Sequence, residues 1–174
     1  MRYSALLCVL GLGGLTLGCQ RPFSITLQPT IEESPALASK IVVGDSATSK
    51  QFLQGVYDLE DNSFRWAAPK FSVALGTPPS AIKNGAWLVL DFDLPGVLVD
   101  RLKNITVAAR IGKLALASET FHSEGRHEYR REVPASAFAQ DVTAIEFTTD
   151  KFLNPPNDTR SLAFVVNSVA LEPK

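Results

Sequence analysis

The sequence has few of the residues that most often carry chemistry. Two cysteines and two histidines occur in 174 residues, and the Gly-x-Ser-x-Gly pattern of a hydrolase nucleophile is missing. His122 and His127 are five residues apart, so on an extended chain they point to opposite faces and are too distant to share a metal. Oxygens suited to calcium occur in one late loop without the fixed spacing of a calcium motif. They belong to Asp150, Asn154, Asn157 and Asp158. The sequence therefore predicts no catalytic centre, no metal site and no cofactor.

The sequence also lacks an excess of charge of either sign. It has 17 basic and 18 acidic residues and a formal net charge of −1. No basic stripe is present, which excludes the usual electrostatic footprint of a nucleic-acid-binding protein. Without a cluster of lysines and arginines, electrostatic docking on anionic lipid is not expected either.

No hydrophobic run is long enough to span a membrane as a helix. The longest, from Ala5 to Gly18, has 14 residues, whereas a spanning helix needs about 20. The run follows Arg2 and ends in small residues, a pattern typical of a secretory signal peptide.

The end of that run, "TLGCQ", resembles the lipobox of bacterial lipoproteins. In that family signal peptidase II cleaves before the cysteine, whose thiol carries a diacylglyceryl group and whose amine is usually acylated. Thr16 stands where the family usually has leucine. The resemblance implies a signal peptide at residues 1–18, lipid such as palmitate at Cys19, and anchoring in the cell envelope. Because Gln20 rather than aspartate follows the cysteine, the outer membrane is favoured over the inner one.

The cysteine count bears on the same question. Cys8 lies inside the predicted signal peptide, so Cys19 would be the only thiol of the exported chain and would have no partner for a disulfide. The alternative is an ordinary secreted protein whose cysteine happens to lie near the cleavage site. A lone thiol in an oxidising compartment favours the lipid-capped interpretation.

After the signal peptide the sequence divides into two parts. Residues 19–40 contain three prolines among polar residues and are predicted to be a tether. Within them, residues 23–28 alternate in polarity and are a possible first strand. Residues 41–174 are predicted to form one β-sandwich domain.

The domain shows alternation of apolar and polar residues with a period of two. Such alternation indicates strands with one buried face, and turn signals such as "GTPPS" and "NPPND" separate the runs. The expected inward positions are Phe71, Val73 and Leu75; Leu88, Leu90, Phe92 and Leu94; Ile105, Val107, Ala109 and Ile111; Ile145 and Phe147; and, in the last run, Leu162, Phe164, Val166, Val169 and Leu171. In the last run the phase slips at Asn167–Ser168, which predicts a β-bulge. Short strands at this spacing predict an antiparallel sandwich or barrel.

The order of short motifs from Ile41 to Lys174 resembles a bacterial jelly-roll module of the galactose-binding-like type. The residues that carry the resemblance are Gly55, Tyr57, Glu60, Arg65, Trp66, Asp158, Arg160 and Leu162. The resemblance implies an all-β, antiparallel jelly-roll β-sandwich. Because such modules are often attached to envelope or carbohydrate-active proteins, it also implies a non-catalytic binding or interaction role.

The segment "AWLVLDFDL" is the first candidate binding site. Trp87, Asp91 and Asp93 share one face of the strand, and a tryptophan beside carboxylates can hold a sugar by stacking and hydrogen bonding. The alternative is a strand buried at its tryptophan end, with solvated acids further along. The two acids lie about 6.6–7 Å apart by strand rise, near the spacing of an inverting glycosidase. An open sheet face gives no cleft that would raise the pKa of one of them.

The segment "QGVYDLEDNSFRW" is the second candidate. Its pattern predicts a hairpin whose turn is formed by polar residues, with Glu60 and Arg65 close enough to pair and Trp66 partly packed in the sandwich. We interpret the segment as structural, with its charged edge as a secondary binding candidate.

The charges at the two ends of the domain suggest a further arrangement. Asp158 and Arg160 flank the start of the last strand, and Glu60 and Arg65 flank the early turn. If the first and last strands are neighbours, these four residues form one charge network that clamps the ends together.

Two functions remain open on the sequence alone. The first is a lipid-anchored binding module, with glycan as the possible ligand. The second is a structural envelope lipoprotein that presents a surface to a protein partner.

Overall fold

The computed structural model describes residues 36–174. The predicted signal peptide at 1–18, the lipidation site at Cys19 and the possible strand at 23–28 lie outside the described residues, as does the tether up to residue 35. Within residues 36–174, no helix has the length and apolar character needed to cross a membrane.

Ten strands, two short α-helices and two 3-10 turns, at Ser49–Gln51 and Ala135–Ala137, make up the regular structure of the described part of the chain. The strands are β1 (Lys40–Val42), β2 (Phe52–Val56), β3 (Arg65–Gly76), β4 (Ala86–Leu94), β5 (Ile105–Ile111), β6 (Leu114–Ala115), β7 (Glu119–Phe121), β8 (Gly125–Val133), β9 (Val142–Thr149) and β10 (Phe164–Pro173). The helices are α1 (Ala81–Asn84) and α2 (Gly96–Leu102), which lie before and after β4. The dominance of strands confirms the predicted all-β class.

All strand pairs are antiparallel and belong to one continuous sheet. Its order is β6-β5-β9-β3-β10-β4-β8. The short strands join at the sides: β1 pairs with β10, β2 with β3, and β7 with β5. Because β3 and β10 are neighbours, the early hairpin and the last strand lie side by side.

The sheet curls so that its two ends face each other and form the layers of a sandwich. Phe92 of β4 meets Phe121 of β7 edge to face, with ring centroids 5.0 Å apart. The hydroxyl of Tyr129 in β8 donates to the carbonyl of Ala117, just before β7, at 2.8 Å. Burial raises the pKa of Tyr129. The result is the antiparallel jelly-roll sandwich that the sequence predicts.

The core lies between the two layers, where the alternating apolar residues point. All of the inward positions expected in β3, β4, β5, β9 and β10 are buried. At the centre, Phe71 stacks on Phe147 at 4.7 Å and meets Phe164 edge to face at 5.8 Å. The predicted bulge is confirmed, because the pairing of β10 with β4 shifts register between Val166 and Ser168. Leu162 is buried before β10 begins and forms an isolated bridge with Leu153.

Candidate functional site

The outer face of β10, β4 and β8 carries the first candidate site. Leu88, Leu90 and Phe92 of β4 are fully buried, whereas Trp87, Asp91 and Asp93 on the opposite face are only partly buried; Val89, which shares that opposite face, is buried. This alternation turns the tryptophan and both acids away from the core. The face that the sequence singled out is therefore one surface of the folded sandwich.

Trp87 lies between two cross-strand ion pairs. In the sheet it stands opposite Glu172 of β10 and Glu132 of β8. Arg130 pairs with Glu172 at 2.8 Å, and Lys174 pairs with Glu132. We call these five residues the Trp87 surface.

Both cations of the Trp87 surface also contact the indole. The guanidinium of Arg130 lies 4.9 Å from the ring centroid of Trp87, and the ammonium of Lys174 lies 5.9 Å from it. Cations at this distance are attracted to the ring face. Strands β8 and β10, with the residue that follows β10, thus place two bases and two acids around the aromatic ring.

Asp91 and Asp93 are occupied by different partners. Arg126 of β8 binds Asp91 with two hydrogen bonds, one from Nε at 2.8 Å and a second from Nη2. The hydrogen bond to Asp91 raises the pKa of Arg126. The amide of Asn167, at the β10 bulge, donates to Asp93 Oδ2 at 2.7 Å. Each carboxylate therefore has its own cross-strand partner on the sheet face.

The early hairpin forms as the sequence predicts. Glu60 and Phe64 make an isolated antiparallel bridge, and the backbone N–H of Tyr57 donates to the carbonyl of Trp66 at 2.9 Å. Asp61 and Asn62 have φ of 48° and 52°, in the left-handed region that short polar side chains tolerate. The turn residues thus match the conformation they adopt.

The predicted pair between Glu60 and Arg65 is wrong. Arg65 stands opposite Val166 in the sheet, and its Nη1 donates to the carbonyl of Tyr57 at 3.0 Å. Its guanidinium lies 5.8 Å from the ring of Phe52. Glu60 instead pairs with Arg160, which approaches from the loop before β10.

Arg160 joins three of the four residues of the predicted charge network. It contacts Glu60, and it donates to Asp158 from Nε at 3.0 Å and from Nη2 at 2.8 Å. The guanidinium also lies 5.4 Å from the ring of Tyr57. These hydrogen bonds lower the pKa of Asp158 and raise that of Arg160. Arg65 does not belong to this cluster, which we call the Arg160 cluster.

Tyr57 completes the link between the hairpin and the last loop. Its hydroxyl accepts from the N–H of Ser161 at 3.1 Å and donates to the carbonyl of the same residue at 3.2 Å. The Arg160 cluster therefore joins residues 100 positions apart in the chain.

Trp66 is separate from the Trp87 surface. It is half-buried opposite Val165 and packs against the core. Its neighbour in β3, Arg65, stands opposite Val166 of β10, and Trp87 stands opposite Glu172 of the same strand. The two pairing positions are six residues apart along β10, roughly 20 Å along a strand. The structure thus divides the predicted binding residues between two places.

Three of the four residues considered for calcium accept hydrogen bonds from protein donors. Asp150 accepts from the backbone N–H of Thr106 at 2.7 Å, and Asn154 accepts from the hydroxyl of Ser161 at 2.8 Å. Asp158 is bound by Arg160. Residues 36–174 contain no group of three or more His, Cys, Asp or Glu residues placed to hold a metal ion.

A cavity that the sequence did not indicate opens at one end of the sandwich. Its volume is about 730 Å³, and Leu37, Pro78 and Val142 contribute apolar walls. Gly76 also lines it and allows the close approach of Leu37, because a Cβ at position 76 would lie 2.0 Å from the carbonyl oxygen of Leu37. No residue of the two candidate sites lines it.

Comparison with known proteins gives little further information. No protein-family model matches the chain, and no curated protein matches it. A solved structure described as "CBM4 structure and function" is 14% identical, with a TM-score of 0.36, over 78% of this chain and 85% of that one. Similarity at this level assigns neither a family nor a ligand to the chain.

Proposed function

We propose that this chain is a lipid-anchored cell-envelope protein whose galactose-binding-like sandwich is a non-catalytic module that binds glycan on the Trp87 surface. The observation that carries the proposal is the combination at Trp87 of a partly exposed indole with two acids and two bases. An indole stacks on the apolar C–H faces of a sugar, while charged side chains bind its hydroxyl groups. No other tryptophan of the described residues has this setting, because Trp66 packs against the core.

The rigidity of the surface supports the same proposal. Arg130 and Glu132 lie on β8, and Glu172 lies on β10. Both strands pair with β4, which carries Trp87. The strand pairing therefore fixes the backbone of these residues beside Trp87 before any ligand arrives. A preorganised surface loses less entropy on binding than one that must be ordered by its ligand.

The hydrogen-bond partners of Asp91 and Asp93 support a non-catalytic role. A glycosidase needs one carboxyl group kept protonated by its environment and a second free to act as base or nucleophile. Here Asp91 is bound by Arg126, and Asp93 by Asn167. Both lie on an open sheet face, where a catalytic pair would lack a cleft.

The anchor is proposed from the sequence around Cys19. Cleavage before this cysteine would leave a lipidated N-terminus and a tether leading to the sandwich, with the outer membrane favoured. Palmitate labelling tests this: wild-type protein is expected to carry label and fractionate with membranes, and Cys19→Ala is expected to lose both. An unlabelled wild-type band would contradict the anchor without bearing on glycan binding.

A second function is favoured by one observation. The charged groups of the outer face are already paired with one another: Arg126 with Asp91, Arg130 with Glu172, and Lys174 with Glu132. A surface with balanced charges and a central aromatic also suits a protein partner. The second candidate is therefore a structural lipoprotein that presents this face to another envelope protein.

A glycan array distinguishes the two functions. The full chain in detergent is expected to bind a limited set of glycans, and Trp87→Ala is expected to lose at least about tenfold in affinity, or about 1.4 kcal/mol. Phe152→Ala is the matched control, because Phe152 is an aromatic residue with 41% exposure that lies outside this surface. Binding of no glycan, or equal binding by Trp87→Ala, would leave the protein-partner function.

A further inference from the structure

Arg65 has more hydrogen-bonding capacity than the described residues use. Its side chain is half-buried, and its one hydrogen bond within residues 36–174 goes from Nη1 to the carbonyl of Tyr57. It forms no ion pair with a carboxylate of those residues. A guanidinium carries five N–H donors, so most of its donors remain available.

A small polar cavity lies directly beside Arg65. Its volume is about 110 Å³, and its other walls are Gly44, Asp45, Ser46, Ser49 and Leu59. One water molecule occupies about 30 Å³ in the liquid, so the cavity has room for a carboxylate group and the atoms next to it. The guanidinium fork matches the two oxygens of a carboxylate. Size and donor geometry therefore point to the same ligand group.

The charge of the cavity walls restricts the ligand further. Asp45 accepts from the backbone N–H of Ala47 at 2.9 Å and from the hydroxyl of Thr48 at 3.4 Å, so its carboxylate is held by its own turn. Arg65 and Asp45 together leave the walls formally neutral. A dianion such as phosphate would be repelled by Asp45. A monoanion with hydroxyl groups would place its charge on Arg65 and donate its hydroxyls to Asp45.

We propose that Arg65 and this cavity form a second binding site, which takes the carboxylate of a sugar acid. Leu59 contributes an apolar wall for the C–H groups next to the carboxylate, and Ser46 and Ser49 contribute hydroxyls. The site lies roughly 20 Å along β10 from Trp87, with the pairing positions Val166 and Glu172 marking the separation. It therefore goes beyond the glycan site on the Trp87 surface and does not depend on it.

Equilibrium dialysis of the full chain in detergent with radiolabelled D-glucuronate tests the site. At constant ionic strength, wild-type protein is expected to bind one equivalent saturably. Arg65→Gln is expected to weaken binding at least about tenfold, and Arg65→Lys is expected to lie between, because lysine keeps the charge and loses the fork. Arg101→Gln is the matched control, since Arg101 is an exposed arginine of α2 without an ion pair among the described residues.

Competition experiments show which chemical group of the ligand the site recognises. Excess acetate is expected to displace glucuronate, and excess glucose or phosphate is not. Ser49→Met, which fills the cavity and keeps Arg65, is expected to abolish binding in a chain whose circular dichroism is unchanged. The proposal is overturned by absent saturable binding, by equal displacement with glucose or phosphate, or by wild-type affinity in both Arg65→Gln and Ser49→Met.

Discussion

At the scale of single residues, the stability of the hairpin depends on which arginine reaches Glu60. Arg160 does so from the loop before β10, while it also binds Asp158 and covers the ring of Tyr57. The side chains of Arg160 and Glu60 are 31% and 34% exposed. Ion pairs this exposed are partly screened by water, so each contact contributes modestly.

A double-mutant cycle measures that contribution. We expect Arg160→Ala and Glu60→Ala to be coupled by about 0.5–1 kcal/mol in the free energy of unfolding, measured by urea denaturation. Arg160 and Arg65 meet only through Tyr57, Arg160 at its ring and Arg65 at its carbonyl, so the coupling of Arg160→Ala with Arg65→Ala should be weaker than that of Arg160→Ala with Glu60→Ala. Coupling of Arg65 to Arg160 as strong as that of Glu60 would contradict the arrangement described.

The lowered pKa values of two carboxyl groups predict a pH dependence of stability. Hydrogen bonds from Arg160 and from Lys70 lower the pKa of Asp158 and Glu146 below their ordinary values. Because the folded state then binds protons less readily than the unfolded state, the stabilisation is complete above about pH 5 and declines as the pH falls through about 4 and below.

The test compares urea midpoints at pH 7 and pH 3. The difference between wild type and Asp158→Asn is expected to be larger at pH 7 and to shrink at pH 3, where the unfolded state takes up a proton at Asp158 more readily than the folded state. Asp100→Asn, at an exposed acid of α2 without an ion pair in the described part of the chain, is the control. A difference that is the same at both pH values would contradict the assignment.

At the scale of elements, β2 approaches β3 so closely that one position requires glycine. Gly55 has φ of +74°, and a Cβ on it would lie 2.2 Å from the carbonyl oxygen of Lys70. The pairing of β2 with β3 also shifts register on both sides of Gln54. The close approach and the irregular register together shape the entry to the hairpin that holds Tyr57 and Glu60.

Two glycine substitutions separate the strain of a left-handed backbone from the clash of a Cβ at position 55 with β3. Gly112→Ala places an alanine at φ of +56° with no atom within 4 Å, so it should cost about 1–2 kcal/mol through the left-handed conformation alone. Gly55→Ala carries the same strain and adds the clash with β3, so it should cost about 1–3 kcal/mol more. Thermal and urea denaturation measure both, and equal costs would contradict the close approach of β2.

Much of the element structure could be predicted from the sequence, because it depends on local periodicity. The alternation of Phe71, Val73 and Leu75 is decided within one strand, and so is the phase slip at Asn167. The ion pairs around Trp87 could not be predicted in this way, because Arg130 and Lys174 reach it from different strands. For the same reason the predicted pair of Glu60 with the nearby Arg65 was wrong. Glu60 pairs instead with Arg160, which is distant from it in the sequence.

At the scale of the whole molecule, the curled sheet gives two outer faces and leaves the candidate sites apart. The Trp87 surface lies on the β10–β4–β8 face. The Arg65 cavity lies near the early hairpin, about six residues away along β10. In the proposed function the sandwich is the support that presents the Trp87 surface to glycan, and the proposed lipid at Cys19 would keep that surface at the membrane.

The most direct test of this account is the fluorescence of Trp87 during glycan binding. The chain contains two tryptophans, so Trp66→Phe leaves Trp87 as the single emitter. Titration with a glycan bound on the array should change its emission saturably, with the same affinity as wild type, because a stacked sugar displaces water from the indole. Saturable binding of that glycan without any change in the emission of Trp87 would contradict the central claim.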